Sequence, residues 1–254
     1  MEALAISPWL LAALFFVVAF LYSSVGLGGG SSYTALLALF GASPVSIPSI
    51  SLTLNISVSS ISAFNFIRKG HASLKLILPF LLSSIPLAWI GGQLALPKII
   101  FYSLLLVSLL IVAARIYSPN ETRWHCHFSP ARAMIVSVIS GAVLGFVAGA
   151  IGIGGGIYLV PLIIMLGLGS AKQAAAAGAI FVWVNSATGL VSRFDADRLQ
   201  LDFILPLLIA AVAGGILGSS LGAGRFSAKR VEQLLGIVIV VAIFLLGRKI
   251  FALL

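Results

Sequence analysis

Long apolar runs separated by short polar punctuation dominate this chain. A helix crossing ~30 Å of hydrocarbon needs roughly 20 apolar residues at 1.5 Å of rise each. Runs of about that length cover 8–25, 46–67, 74–96 and 99–116, and after a polar stretch they resume at 133–151, 173–192, 203–223 and 231–247. Two further apolar pieces, 31–40 and 157–168, are too short to span, and the second carries Pro161. The pattern predicts an all-α integral membrane protein and leaves no stretch for a soluble domain.

Composition sharpens this. Of 254 residues, 61% are hydrophobic and only 8% are charged, against about 25% charged in soluble domains. A soluble globule, a disordered chain and a nucleic-acid module are excluded, and the single cysteine, Cys126, excludes an intrachain disulfide. The net charge of +9 comes from fifteen Lys and Arg against six acids, spread over short loops. That is how a polytopic protein satisfies the positive-inside rule. The acidic flank at Glu2 and the lack of a small-x-small site before Tyr22 argue against a cleavable signal.

The two halves of the chain resemble each other. Val25-Gly26-Leu27-Gly28-Gly29-Gly30 recurs as Ile151-Gly152-Ile153-Gly154-Gly155-Gly156. The same offset pairs Leu36 with Leu162, Gly41 with Gly167 and Ser60 with Ser186. A one-residue slip then pairs Pro79 with Pro206, Gly91 with Gly218 and Leu94 with Leu221. Duplication of this kind is common in secondary transporters, whose sites lie at the repeat interface. The expected organisation is a first repeat over 1–117, a loop over 118–132 and a second repeat over 133–254. Residues 8–43 as one helix would be about 54 Å long, too long for the bilayer, so a hairpin turning at the glycines is expected instead. Each repeat is then a Gly-rich hairpin plus three spanning helices, and the two repeats are inverted. The charge distribution fits either topology; length favours the inverted one.

The glycine motifs are the first candidate chemistry. Irregular backbone at membrane depth survives only where it is buried in protein or lines a cavity. A short helix follows each motif, and a helix start presents uncovered N–H groups and a positive dipole end to an anion. Gly26, Gly28, Gly29, Gly30, Gly152, Gly154, Gly155 and Gly156, with Ser31 and Ser32, are the candidate anion-binding residues. Close helix packing or a simple tight turn is the competing reading. The hydroxyls of Ser46, Ser49, Thr53, Ser57 and Ser60 share one face of the next helix, with Asn55, Ser59 and Ser62 on a neighbouring stripe. The matching segment of the second half carries Asn185, Ser186 and Thr188. Asn55, Ser59, Asn185 and Ser186 join the candidate site, because a buried amide or hydroxyl needs partners. Asn65 ranks with the other amides.

Arg68 and Arg193 end corresponding helices, and most such arginines anchor a helix in the headgroups. All six acids lie in loops or near span ends, so no mid-span carboxylate offers proton or sodium coupling. His125-Cys126-His127 places three adjacent ligands that cannot converge easily on a metal. No metal, cofactor or enzymatic constellation is expected.

The paired glycine motifs, the Ala-Gly-Ala-Ile run at 148–151, and Gly-Gly-Gln-Leu (91–94) against Gly-Ser-Ser-Leu (218–221) make the chain resemble the TauE/SafE family of sulfite and organosulfonate exporters. The resemblance spans essentially the whole chain. It implies a multi-pass protein of the plasma membrane, the inner membrane in a bacterium, that carries a small sulfur oxyanion or sulfonate by alternating access. The residues alone reach only a small anion. An anion channel and a non-transporting membrane assembly or chaperone subunit are the alternatives. The expected partners are the anionic substrate and the lipid bilayer, with no nucleic acid; a homodimer is a possible assembly.

Overall fold

The structure is a computed structural model and describes residues 7–24, 27–117, 129–193, 201–222 and 228–252. Ten α-helices follow in order: α1 (Pro8–Ser24), α2 (Gly30–Leu39), α3 (Ile47–Arg68), α4 (Leu74–Gln93), α5 (Lys98–Tyr117), α6 (Pro130–Ile151), α7 (Gly156–Met165), α8 (Ala171–Ser192), α9 (Leu201–Gly222) and α10 (Ala228–Phe251). Among the described residues there is no strand. Five stretches, in α3, α4, α6, α8 and α9, are long and apolar enough to cross a membrane. Gly26, residues 118–128 with His125, Cys126 and His127, and the loop bearing Asp195 and Asp197 lie outside the described residues.

Local sequence explains where the helices begin. Ser129 caps α6, its hydroxyl accepting from the Arg132 amide, with Pro130 in the first turn, where a missing N–H costs nothing. At α8, Ser170 and Gln173 form a reciprocal capping box: the Ser170 amide donates to the Gln173 side-chain oxygen Oε1 at 2.9 Å.

Both glycine motifs break the chain and turn it back. The Tyr33 ring, in the first turn of α2, lies 5.0 Å from the Phe15 ring. Phe15 sits about 13 Å below the end of α1, so α2 cannot continue the α1 axis. In the second half, Leu144 of α6 packs against the cluster holding Leu159 and Ile163 of α7. Hairpins turning at the glycines are what the length argument predicts.

Two helix pairs pack with their backbones in near contact. Gly141, Gly145 and Gly149 of α6 lie against Phe80, Ser84 and Ala88 of α4, so these helices run parallel. A Cβ on Gly145 would come within 2.5 Å of the Ser84 Cα. Gly214 and Gly218 of α9 lie in the same way against Phe16 and Phe20 of α1. In membranes such small residues let helices gain dispersion energy that hydrophobicity cannot supply. α3 and α8 cross antiparallel in the middle: a Cβ on Gly189, late in α8, would meet the Leu52 side chain, early in α3, at 3.3 Å.

The outward faces are apolar. Ile135, Ile139 and Val143 of α6 are each more than half exposed, and Leu78, Leu82, Ile85 and Trp89 continue the surface on α4. A soluble monomer does not present stripes of this extent to water; lipid is their natural solvent.

Candidate functional site

The centre of the molecule is built by the two glycine turns and the facing sides of α3 and α8. Each short helix starts from a glycine in the left-handed region, Gly29 with φ +92° and Gly155 with φ +79°, a conformation that costs a side-chain-bearing residue roughly 1–2 kcal/mol. In the first turns the Ser32 and Tyr158 amides donate back to the Gly29 and Gly155 carbonyls, at 3.1 and 3.2 Å, so only the amides before them lack an acceptor in the regular helix pattern. The two turns meet: a Cβ at Gly30 would collide with the Ile153 carbonyl and with the Asn55 amide. Both motifs therefore come together at one place.

Asn55 is the residue they share. A side chain on Gly28 would meet the Asn55 amide at 3.1 Å, and one on Gly154 would meet it at 2.9 Å. Asn55 is fully buried, and neither its nitrogen nor its oxygen has a hydrogen-bond partner. Val182 of α8 touches the same points on Gly28 and Gly154, and the Ser186 hydroxyl lies 3.3 Å from the Gly154 position. Ser186 is also fully buried with its hydroxyl unpartnered. Ser59 stands behind Gly28, its hydroxyl donating to the Asn55 carbonyl at 2.5 Å. The Asn185 nitrogen donates to the Phe181 carbonyl at 2.9 Å, leaving its buried oxygen unpartnered. Buried polar atoms without partners are rare and cost about 1–3 kcal/mol each. Of the seven such side-chain atoms among the described residues, three, two on Asn55 and one on Ser186, lie against Gly28, Gly30 and Gly154 of the turns.

The other candidates have different settings. Ser31 and Ser32 both bond the Tyr22 hydroxyl, at 2.9 and 3.1 Å, and so fasten the start of α2 to the end of α1. Gly152 ends α6, and Gly156 is covered by Val182 and by the Gly178 carbonyl at 3.2 Å. Gly26 lies outside the described residues.

The hydroxyls on one face of α3 bond their own backbone: Thr53 donates to the Ser49 carbonyl at 2.8 Å, Ser57 to the Thr53 carbonyl at 3.1 Å and Ser60 to the Ile56 carbonyl at 2.6 Å. These groups satisfy themselves on their own helix, the usual alternative for Ser and Thr in lipid. Asn65 bonds Ser219 of α9 at 3.2 Å, away from Asn55. Arg193 has partners within the protein. Its guanidinium donates to the Gly189 carbonyl at 3.1 Å and to the Gly149 carbonyl, tying the end of α8 to α6. Arg68 is exposed, as an anchor would be.

Sequence reasoning missed a second bridge between the motifs. The Ser51 hydroxyl donates to the Gly152 carbonyl at 2.8 Å and lies 3.3 Å from the Gly30 carbonyl, while Thr34 donates to Ser51 at 2.9 Å. The signal was present, since Ser51 extends the Asn55–Ser59–Ser62 stripe by one helical turn.

A cleft of about 740 Å³ opens at one end of the bundle, lined among others by Pro48, Ser49, Gln93, Ala150, Ser192 and Arg193. Its floor lies close to the centre, because a Cβ on Gly152 would touch the Pro48 Cα at 2.6 Å. Among the described residues no cluster of His, Cys, Asp or Glu could hold a metal.

The fold is that of a helical, multi-pass membrane protein with a buried polar centre at two chain breaks. The family described as "Sulfite exporter TauE/SafE" matches residues 11–246. A "Probable membrane transporter protein y4hK" from Sinorhizobium fredii is 32% identical over 234 residues, covering 91% of this chain and 95% of that protein. A "Probable membrane transporter protein YunE" from Bacillus subtilis is 30% identical over 105 residues, 41% of this chain and 38% of that protein. No solved structure matches the chain significantly. The chain belongs to the TauE/SafE sulfite exporter family, and both the family and these relatives are named as transporters rather than enzymes.

Proposed function

We propose that the protein is a secondary transporter that exports a small sulfur-containing anion, sulfite or an organosulfonate, across the bacterial inner membrane by alternating access. The substrate lies between the two glycine turns, held by helix-start amides, by Asn55 of α3 and by Asn185 and Ser186 of α8, with Ser59 behind Asn55, its hydroxyl bonded to the Asn55 backbone carbonyl. The observation that carries this reading is the Asn55 amide, fully buried, unpartnered and in reach of Gly28, Gly30 and Gly154. Neutral donors hold an oxyanion without the cost of burying a fixed counter-charge.

We read the architecture as two inverted repeats, 1–117 and 133–254. The order of a helix, a ten-residue helix and three longer helices occurs twice. The α4–α6 pair has its counterpart in α9–α1, and antiparallel α3 and α8 fit an axis between them. Inverted repeats suit alternating access, because exchanging the conformations of the halves exchanges the open side. The cleft beside Arg193 is the way in from one side in the present state.

Counterflow in proteoliposomes tests the reading. Liposomes loaded with unlabelled sulfite should transiently accumulate labelled sulfite, and the rate should saturate. Saturable exchange distinguishes a carrier from a channel. Sulfite flux equal to that of protein-free liposomes would refute transport of this cargo.

A further inference from the structure

We propose that the central site selects an oxyanion that still carries a proton, such as hydrogensulfite, over both the dianion and fully deprotonated sulfonates. The inference rests on the reading of Asn55 as part of a substrate site, and of the two cargoes proposed above it favours sulfite, as its protonated form, over an organosulfonate. It uses a property of that residue which does not depend on how the amide is turned.

A carboxamide presents one acceptor oxygen and two N–H donors at the same end. In Asn55 all of these are unpartnered, in a residue with no exposure to solvent. Around it stand Gly28, Gly30 and Gly154, which add no side chain, the apolar Val182, the Ile153 carbonyl and the Ser186 hydroxyl, none of which bonds the Asn55 amide. A ligand reaching this amide is therefore asked for an acceptor and a donor side by side. An X(=O)–O–H group supplies both: its oxygen accepts from the Asn55 N–H, and its hydroxyl donates to the Asn55 oxygen. An –SO₃⁻ group without a proton satisfies only the N–H and sets a lone pair against the carbonyl oxygen. That leaves a buried acceptor unpaired, the situation by which polar sites reject analogues most strongly.

Charge points the same way. No Lys, Arg or His faces Asn55 among its described contacts, and the motif offers only partial charges from two helix starts. Transferring an ion out of water costs in proportion to the square of its charge, so a dianion would need a compensating cation. A protonated monoanion brings a lower cost and its own donor. It would also carry a proton across with the substrate, which suits a chain with no mid-span carboxylate.

The test is ligand binding to the purified, detergent-solubilised full chain, read by thermal stabilisation with sulfite and with methanesulfonate across the second ionisation of sulfite. With total sulfite fixed, the apparent affinity should fall about tenfold per pH unit once the proton is lost, following simple linkage. At the acidic end methanesulfonate, a monoanion of similar shape with no proton, should bind at least about tenfold more weakly than sulfite. Affinity that ignores pH, or methanesulfonate binding as tightly as sulfite, would overturn the proton requirement and leave the transport reading standing. Absence of binding by either anion at every pH would overturn both. Asn55→Leu should abolish the difference between the two anions while keeping a monodisperse elution profile; a variant that still discriminates would show that the selection lies elsewhere.

Discussion

Ser51 and Gly152, one hundred and one positions apart in the chain, share a hydrogen bond of 2.8 Å from hydroxyl to carbonyl. This bond joins the third helix to the glycine turn of the other half. Through Thr34 it extends to the helix that follows the first glycine turn. Ser51 thus links the two turns, alongside Thr34, which also reaches the Gly152 carbonyl at 3.4 Å.

Ser51→Ala should therefore loosen the centre. It removes the donor to Gly152 and the acceptor used by Thr34, and interhelical bonds in membranes average about 0.6 kcal/mol each. A loss of about 1 kcal/mol is expected, visible as a lower melting temperature in detergent. Sulfite flux should fall with it. A variant with unchanged melting and flux would assign the bond no role.

The glycine turns should tolerate side chains poorly for function and well for insertion. Gly29→Leu and Gly155→Leu force a side chain into positive φ against the Tyr33 and Phe181 rings, each 2.9 Å away. Transport should be abolished while the protein still reaches the membrane. Unchanged transport in both variants would remove the turns from the site.

Close packing of α4 on α6 gives a stability prediction with an internal control. Gly145→Leu has no room against Ser84 and should cost about 1–3 kcal/mol or more through overpacking. Gly247→Leu on α10 meets nothing within 4 Å and should leave the melting temperature unchanged. Equal melting of the two variants would contradict the packing described.

Arg193 should matter where Arg68 does not. Arg193→Lys keeps the charge but cannot fork between the Gly149 and Gly189 carbonyls, so it should melt earlier and transport more slowly. Arg68→Lys should match the native protein in both measurements. Melting and flux of the two variants, taken side by side, check this.

Flux should also respond to voltage. A membrane potential, negative inside, favours anion export by about 2.3 kcal/mol per charge per 100 mV. At equal pH on both sides, an imposed potential should speed sulfite movement in liposomes. A flux that ignores the potential would mean that net charge does not cross with the substrate.

Much of this was legible in the sequence, for identifiable reasons. Helix lengths follow from hydropathy, so the predicted runs at 46–67 and 173–192 match α3 and α8 within two residues at each end. The breaks at Gly28–Gly30 and Gly154–Gly156 announce themselves because few other sequences stop an apolar run at membrane depth. Asn55 stood out as an amide in such a run. Periodicity places Thr53, Ser57 and Ser60 on one face, but it does not report whether their hydroxyls bond outward or to the preceding turn. Partners across the chain, such as Ser51 with Gly152 or Arg193 with Gly149, depend on how helices cross. Spacing does not encode that. The four-residue spacing of Gly141, Gly145 and Gly149 did encode a packing face, and α4 lies on it.

The most direct test of the central claim compares two amides on one helix. Asn55→Leu and Asn65→Leu both remove a carboxamide from α3, but only Asn55 stands between the glycine turns; Asn65 bonds Ser219. Sulfite counterflow should be measured with equal amounts of each variant reconstituted. The account predicts that Asn55→Leu loses about tenfold or more of the rate, equivalent to roughly 1.4 kcal/mol of lost binding, while Asn65→Leu stays close to the native protein. Native flux from Asn55→Leu would contradict it.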